Sequence, residues 1–296
     1  MTVRQAFSDT ALQSRFEREG FVIVPLLAPE EIARLEAEAL RLLPESPQAN
    51  EPHGSAYLTY FDLELRERAS ALIQSFVNER LVSILPGYRP LYATFFHKQA
   101  GANEMALHQH APYVSDFRDT VINCWCPLID CDEMSGTLQI VPRSHQLLRH
   151  VQTPQTPHYW NGFVDAVRER HLETIPVPAG HAILFEDSMP HGSTANRRDV
   201  ARIATLTTLI PNDATPAFFV GSENDAAAYA ADNGFCYSDF FHDRLPPQQE
   251  WRLLATVENS VARIGEREFE RCLAERRSVA GHGFGLLRFF RRSAHC

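Results

Sequence analysis

Between residues 90 and 211 the chain breaks into seven short β-type runs: PLYATFFHK, EMALHQHAPYV, TVINCWCPLI, GTLQIVPRSH, LETIPVPAG, HAILFED and RIATLTTLIP. Most are bounded by glycine, proline or aspartate, and runs of this length and texture are strands separated by turns. So many in succession build a barrel or a two-sheet sandwich, because each strand must bury its apolar face against another layer. The chain before them has a different texture. SDTALQSRFEREG (8–20) has Ser8 and Asp9 as caps and Gly20 as a stop, and FVIVPLL then reads as a short strand. APEEIARLEAEALRLLP places Pro29 near a helix start and Ile32, Leu35, Ala39 and Leu42 at helical spacing. A further helix is expected over residues 65–85.

These textures divide the chain into a helix-rich part (1–86), a β core (87–212), and a rim segment with C-terminal helices (213–296), all within one domain, 1–296. Residues 213–250 are too polar for core strands and read as a lid or rim. Their Phe218, Phe219, Tyr229, Phe235, Tyr237, Phe240 and Phe241 can cover an apolar substrate or pack on the barrel. In 248–277, Trp251, Leu254, Val257 and Val261 fall three or four apart and predict a helix or a pair of helices.

Twenty-eight basic and 37 acidic residues give a formal charge of −9, which argues against nucleic acid as a partner and favours small molecules. No apolar run reaches the roughly 18 residues of a membrane helix. The N-terminus shows no secretory signal, so a cytoplasmic location is expected. Six cysteines without CxxC spacing read as free thiols. GxSxG, P-loop and strand-linked GxGxxG motifs are lacking, which disfavours hydrolase, NTPase and dinucleotide chemistry. Oligomeric state is not readable from these features.

His108 and His110 stand two apart on an expected strand and so share a face, as a metal-ligand pair or as two buried imidazoles would. His191 is a candidate third ligand, followed by Gly192, whose lack of a side chain lets the backbone pass close beneath an ion. Arg202 opens a strand of apolar and small residues. Facing inward it would need an anion such as a carboxylate; facing outward it would make a surface ion pair.

The sequence resembles the phytanoyl-CoA dioxygenase family of iron(II)- and 2-oxoglutarate-dependent oxygenases. That family shows a His-x-Asp pair, a Pro-x-Ser-His strand end, a His-Gly-Ser and an arginine eleven residues on. Here stand His108-Gln109-His110, Pro142-Arg143-Ser144-His145, His191-Gly192-Ser193 and Arg202, while REGFVIVPLLAPEEI and MSGTLQIVPRSH resemble two further family segments. The likeness runs from about residue 14 to about residue 240. It implies a mainly β fold with flanking helices, a double-stranded β-helix or jelly roll, with iron(II) at one end. His108 and His191 map onto metal ligands, Arg202 onto the residue that pairs with the distal carboxylate of 2-oxoglutarate, and Ser193 onto its helper. Asn123 and Gln139 lie where the family places co-substrate contacts, with a structural role as the alternative. Lys98 is expected to be solvated.

The departure is His110, which stands where the family has its acidic ligand. It can bind iron in a three-histidine site, leave an open position, or mark a decayed site that binds without turnover. In the first case Glu104, Asp116 or Glu186 could replace the lost charge. His145 is expected to hydrogen-bond a strand end, and His97, His150, His158, His171 and His181 to be superficial or structural. The implied activity is hydroxylation of a C–H bond in a small organic substrate. The alternatives are a three-histidine oxygenase that uses no 2-oxoglutarate and an inactive binding protein on the same fold.

Overall fold

The helices and strand at the N-terminus form where the pattern places them. Helix α1 (Thr10–Glu19) is capped by the Asp9 carboxylate, which accepts from the amides of Ala11 and Leu12 at 2.7 and 3.0 Å. It stops at Gly20 (φ 83°), where a Cβ would come within 2.5 Å of the His145 ring. Strand β1 (Phe21–Pro25), α2 (Pro29–Leu42), β2 (Tyr57–Leu58) and α3 (Arg66–Ile84) follow. The structure is a computed structural model that describes residues 5–280, apart from 52–53, 117–118, 146, 148–150, 222–224, 246 and 259–263. His150, Val261 and Cys296 lie outside the described residues.

The β region comprises β3 (Tyr88–Lys98), β4 (Met105–His108), β5 (Ile122–Pro127), β6 (Leu138–Ile140), α4 (Val164–Arg170), β7 (Glu173–Thr174), β8 (His181–Glu186), β9 (His191–Ser193) and β10 (Arg202–Pro211). They form two antiparallel sheets, a six-stranded one in the order β1-β8-β5-β10-β3-β2 and a four-stranded one in the order β4-β9-β6-β7. This is the double-stranded β-helix. Alternation along the strands divides the larger sheet into two faces. Val22, Cys124, Leu184 and Ile203 look outward and pack under Phe16, Leu35 and Ile73 of the three helices. Phe21, Trp125, Phe185 and Leu206 look inward against Leu138 and Ile140 of the smaller sheet. Truncating such a residue, Leu206→Ala for instance, would cost about 2–5 kcal/mol. Pro90 has no amide hydrogen for the ladder, and the register between β3 and β10 shifts beside it, between Thr208 and Leu209.

The C-terminal third departs from the pattern. Strands β11 (Ala217–Gly221), β12 (Asp225–Ala230) and β13 (Leu253–Glu258) form a third antiparallel sheet, with α5 (Cys236–Phe241) between the last two. The segment expected to be a lid or rim, too polar for core strands, therefore contains strands, and Leu254 and Val257 lie on a strand rather than a helix. The alanine-rich β12 has little strand propensity of its own, and pairing on both sides settles its state. Phe218, Phe219, Phe235 and Tyr237 are buried, which favours packing on the barrel, whereas Phe241 is exposed. Helix α6 (Glu266–Ala280) does form, and Phe269 and Leu273 bury against Leu107, Val141 and Trp160. No helix among the described residues is long and apolar enough to cross a membrane. The five described cysteines are buried and form no disulfide with one another.

Candidate metal centre

Strand β4 pairs with β9 so that His108 lies directly opposite His191. Gly192 makes this approach possible, since a Cβ there would stand 2.7 Å from the Met105 carbonyl oxygen. The glycine thus serves the contact between two strands. His110 lies beyond the end of β4, where its amide donates to the Asp187 carbonyl at 3.4 Å. The ring centroids are 4.2 Å apart for His108 and His191, 4.6 Å for His110 and His191, and 5.5 Å for His108 and His110. One nitrogen from each ring lies within 4.8 Å of the others, so the three can hold a metal ion.

Backbone carbonyls orient two of these rings. His108 Nδ1 donates to Ala106 O at 2.9 Å and His191 Nδ1 to Met189 O at 2.8 Å, so each neutral ring carries its hydrogen on Nδ1 and ligates through Nε2. Phe185 packs on His191 at 5.0 Å. Burial pushes His191 well below the ordinary imidazole range and His110 down to about 3, with the neighbouring rings adding to it. Both are neutral at physiological pH, as ligation requires.

Arg202 faces inward and is only 2% exposed. Its Nη2 donates to Gly136 O at 3.0 Å, while Nε and Nη1 have no partner among the described residues. The guanidinium lies 5.4 Å from the Trp125 ring. Lys98, directly opposite Arg202 on β3, is fully buried rather than solvated, and its Nζ donates to Ser193 Oγ at 2.8 Å. Burial and the neighbouring guanidinium push this ammonium down to about 7. Two buried cations with open donors form a pocket suited to a carboxylate.

The structure separates the two polar residues expected at the co-substrate. Asn123 is fully buried, but its amide lies against His110 at 3.1 Å and Thr208 at 2.8 Å. Gln139 alternates with the inward-facing Leu138 and Ile140, and it donates to Thr174 on the neighbouring strand at 3.0 Å. It therefore faces away from the site. Glu104 is paired with Arg168 at the surface, and the buried Glu186 carboxylate accepts from the amide and hydroxyl of Ser188. His145 bonds Glu17 O at 3.1 Å, and His97 and His171 are buried.

Sequence reasoning missed Trp125, Asp187 and His158. Burial and the adjacent Glu186 push the Asp187 carboxyl well above its ordinary range. His158 stacks flat on Trp160 at 4.6 Å and helps to depress His110 and His191. An acid pair five and four residues before His191 was the one available signal; His158 and Trp125 carried none.

The sequence profile of phytanoyl-CoA dioxygenase (PhyH) matches residues 16–204, well over half of the chain. The chain belongs to the phytanoyl-CoA dioxygenase family. No curated protein matches it. Among solved structures, the non-heme alpha ketoglutarate dependent carbocyclase SnoK from nogalamycin biosynthesis superposes with a TM-score of 0.57 at 18% identity, covering 83% of this chain and 93% of that one. The epimerase SnoN in complex with Fe3+, alpha ketoglutarate and nogalamycin RO gives 0.54 at 21% identity, over 87% and 96%. Apo HygX from Streptomyces hygroscopicus gives 0.50 at 15%, over 69% and 87%. At such identities the likeness concerns the jelly roll of the phytanoyl-CoA dioxygenase fold.

Proposed function

We propose that this protein is a non-haem iron(II)- and 2-oxoglutarate-dependent oxygenase that hydroxylates a C–H bond of a small organic substrate at a three-histidine metal site. The observation that carries this reading is the pairing of two sites on the inner face: three converging imidazoles and the buried Arg202–Lys98 pocket. Iron(II) accepts neutral imidazole ligands, and the open donors of Arg202 fit one carboxylate of a dicarboxylate whose other end reaches the metal. The Fe3+, alpha ketoglutarate and nogalamycin RO named for SnoN support both the cofactors and a small-molecule substrate.

In this reading His108, His110 and His191 hold the metal, with Asn123 behind His110. Arg202, Lys98 and Ser193 hold the distal carboxylate, and Trp125 fixes the guanidinium plane. Phe185, Trp125 and Leu206 keep bulk water from the inner face. Bound iron(II), with 2-oxoglutarate and dioxygen, supplies the oxidation: the keto acid is decarboxylated to succinate and an oxygen atom enters the substrate C–H bond. The chain supplies orientation and a dry site. Residues 1–296 act as one oxygenase domain.

The test is anaerobic titration of the metal-free protein with iron(II), then with 2-oxoglutarate, followed by exposure to oxygen. One iron per chain, a 2-oxoglutarate-dependent thermal shift and release of succinate are expected. At about 100 times its dissociation constant the co-substrate should add about 2.7 kcal/mol of stability. Turnover indifferent to 2-oxoglutarate would assign an oxygenase that binds its substrate directly to the metal. Iron occupancy near zero would assign a binding protein.

A further inference from the structure

Strand β1 ends the six-stranded sheet and β7 ends the four-stranded one. A cavity of about 290 Å³ lies where these two edges meet, lined by Phe21 of β1, Glu173 of β7, Arg15, Arg18 and Glu19 of α1, and Arg143 of the turn after β6. That volume holds roughly ten waters at about 30 Å³ each, or a phosphate group with a short stem. None of the residues assigned to the metal or to the carboxylate lines it.

Three guanidinium groups face this space, and Glu19 ties two of them in place. Its Oε1 accepts from Arg18 Nε at 2.8 Å and its Oε2 from Arg143 Nη2 at 2.8 Å. Each arginine spends one donor on that carboxylate and keeps others; Arg143 Nε is buried with no partner among the described residues. Arg15, exposed one turn before Arg18 on the same helix, brings a like charge beside it. Like charges at that spacing repel unless an anion lies between them.

Arg143 carries the strongest signal. Its φ is 67°, a conformation glycine adopts freely and a long side chain rarely does. The backbone is held there from both sides, since its amide donates to Glu19 O at 2.9 Å and its carbonyl accepts from Arg276 Nη1 at 3.3 Å. What arginine adds over glycine at such a position is the guanidinium in the cavity. The lining bears three positive and two negative side chains, so it favours an anion. Glu173 sets a further condition: its charge repels a bare anion, but its oxygens can accept from a hydroxyl next to one.

We propose that this cavity binds a small hydroxyl-bearing phosphate monoester, with Arg15, Arg18 and Arg143 around the phosphoryl oxygens and Glu173 accepting from the hydroxyl. Planar guanidinium forks match phosphate oxygens in pairs, and a dianion uses all three charges. The site is independent of the reading of the metal centre.

The test is calorimetric titration of the full chain at pH 7.5, where a monoester is close to a dianion. Glycerol 3-phosphate, inorganic phosphate and acetate are the probes. One saturable site per chain is expected for the two phosphates, tighter for glycerol 3-phosphate, and none for acetate. Arg143→Gly suits the backbone and Arg15→Gln is on the surface, so both variants should fold. Each should weaken both phosphates by roughly 10- to 100-fold, the scale of one hydrogen bond to a charged group. Glu173→Ala should tighten inorganic phosphate and abolish the advantage of the monoester. Arg202→Met should change neither. The proposal is overturned if no phosphate probe saturates, if acetate binds as well, or if Arg143→Gly and Arg15→Gln bind like the unaltered chain. Inorganic phosphate binding as tightly as the monoester would overturn it in favour of a free-phosphate site, and loss of binding in Arg202→Met would move the anion to the other pocket.

Discussion

Strand β10 carries two polar positions on its inner face, Arg202 at one end and Thr208 at the other, and they are managed in opposite ways. Around Arg202 the groups are cationic and short of partners, with two guanidinium nitrogens unmatched among the described residues and a buried lysine directly opposite. Around Thr208 the groups are neutral and joined in a file that ends at His110. Burying charge without a counter-ion costs several kcal/mol per ion, whereas burying a paired neutral group costs little. The first end therefore stores a cost that an anionic ligand relieves. The second is already paired within the chain, so a ligand has no such cost to relieve there.

The largest expected effects come from breaking the link between the two ends. His191→Ala or His108→Ala should reduce iron(II) affinity by more than about 100-fold, beyond what outer groups achieve, while the anion pocket stays intact. Equilibrium titration with cobalt(II) measures this, and equal binding by the variants would sink the metal assignment. Arg202→Met should do the reverse, lowering 2-oxoglutarate affinity by about 2–5 kcal/mol with metal affinity unchanged, as read by calorimetry of each ligand in turn.

Lys98 sharpens the contrast through pH. Its ammonium is held down at about 7 in the ligand-free protein by burial and then by Arg202. A bound carboxylate favours the charged form and raises that value, so above pH 7 binding takes up a proton. Affinity for 2-oxoglutarate should fall as pH rises from 7 to 9, and Lys98→Met should flatten the fall. Titrations in buffers of different ionisation enthalpy report the proton directly; equal heats in all of them would count against Lys98 as a partner. Gln139→Leu should have the smallest effect, within about 0.5 kcal/mol for either ligand, because its side chain turns away from both ends.

Much of the arrangement was legible beforehand. The helix caps, the run of strands and the place of Arg202 at the head of a strand are local patterns, and each appears where it was read. Lys98 was misread because a lone lysine is ordinarily solvated, and only its place opposite Arg202 shows it inside. Gln139 and Asn123 looked equivalent in sequence, yet strand phase sends one outward and register sets the other against His110. The helical spacing of Leu254 and Val257 gave way to pairing with the alanines of β12.

By itself, the sequence determined where the helices and most strands lie, which residues alternate toward the core, and which side chains have the chemistry for a metal and a carboxylate. Such information is local, carried by caps, turns and hydrophobic period. Only the tertiary structure decided which groups face one another: Lys98 with Arg202, and Tyr92 with Thr208 and Asn123. These partners are distant in the chain and meet through strand register, and a shift of one residue would send every one of them to the opposite face.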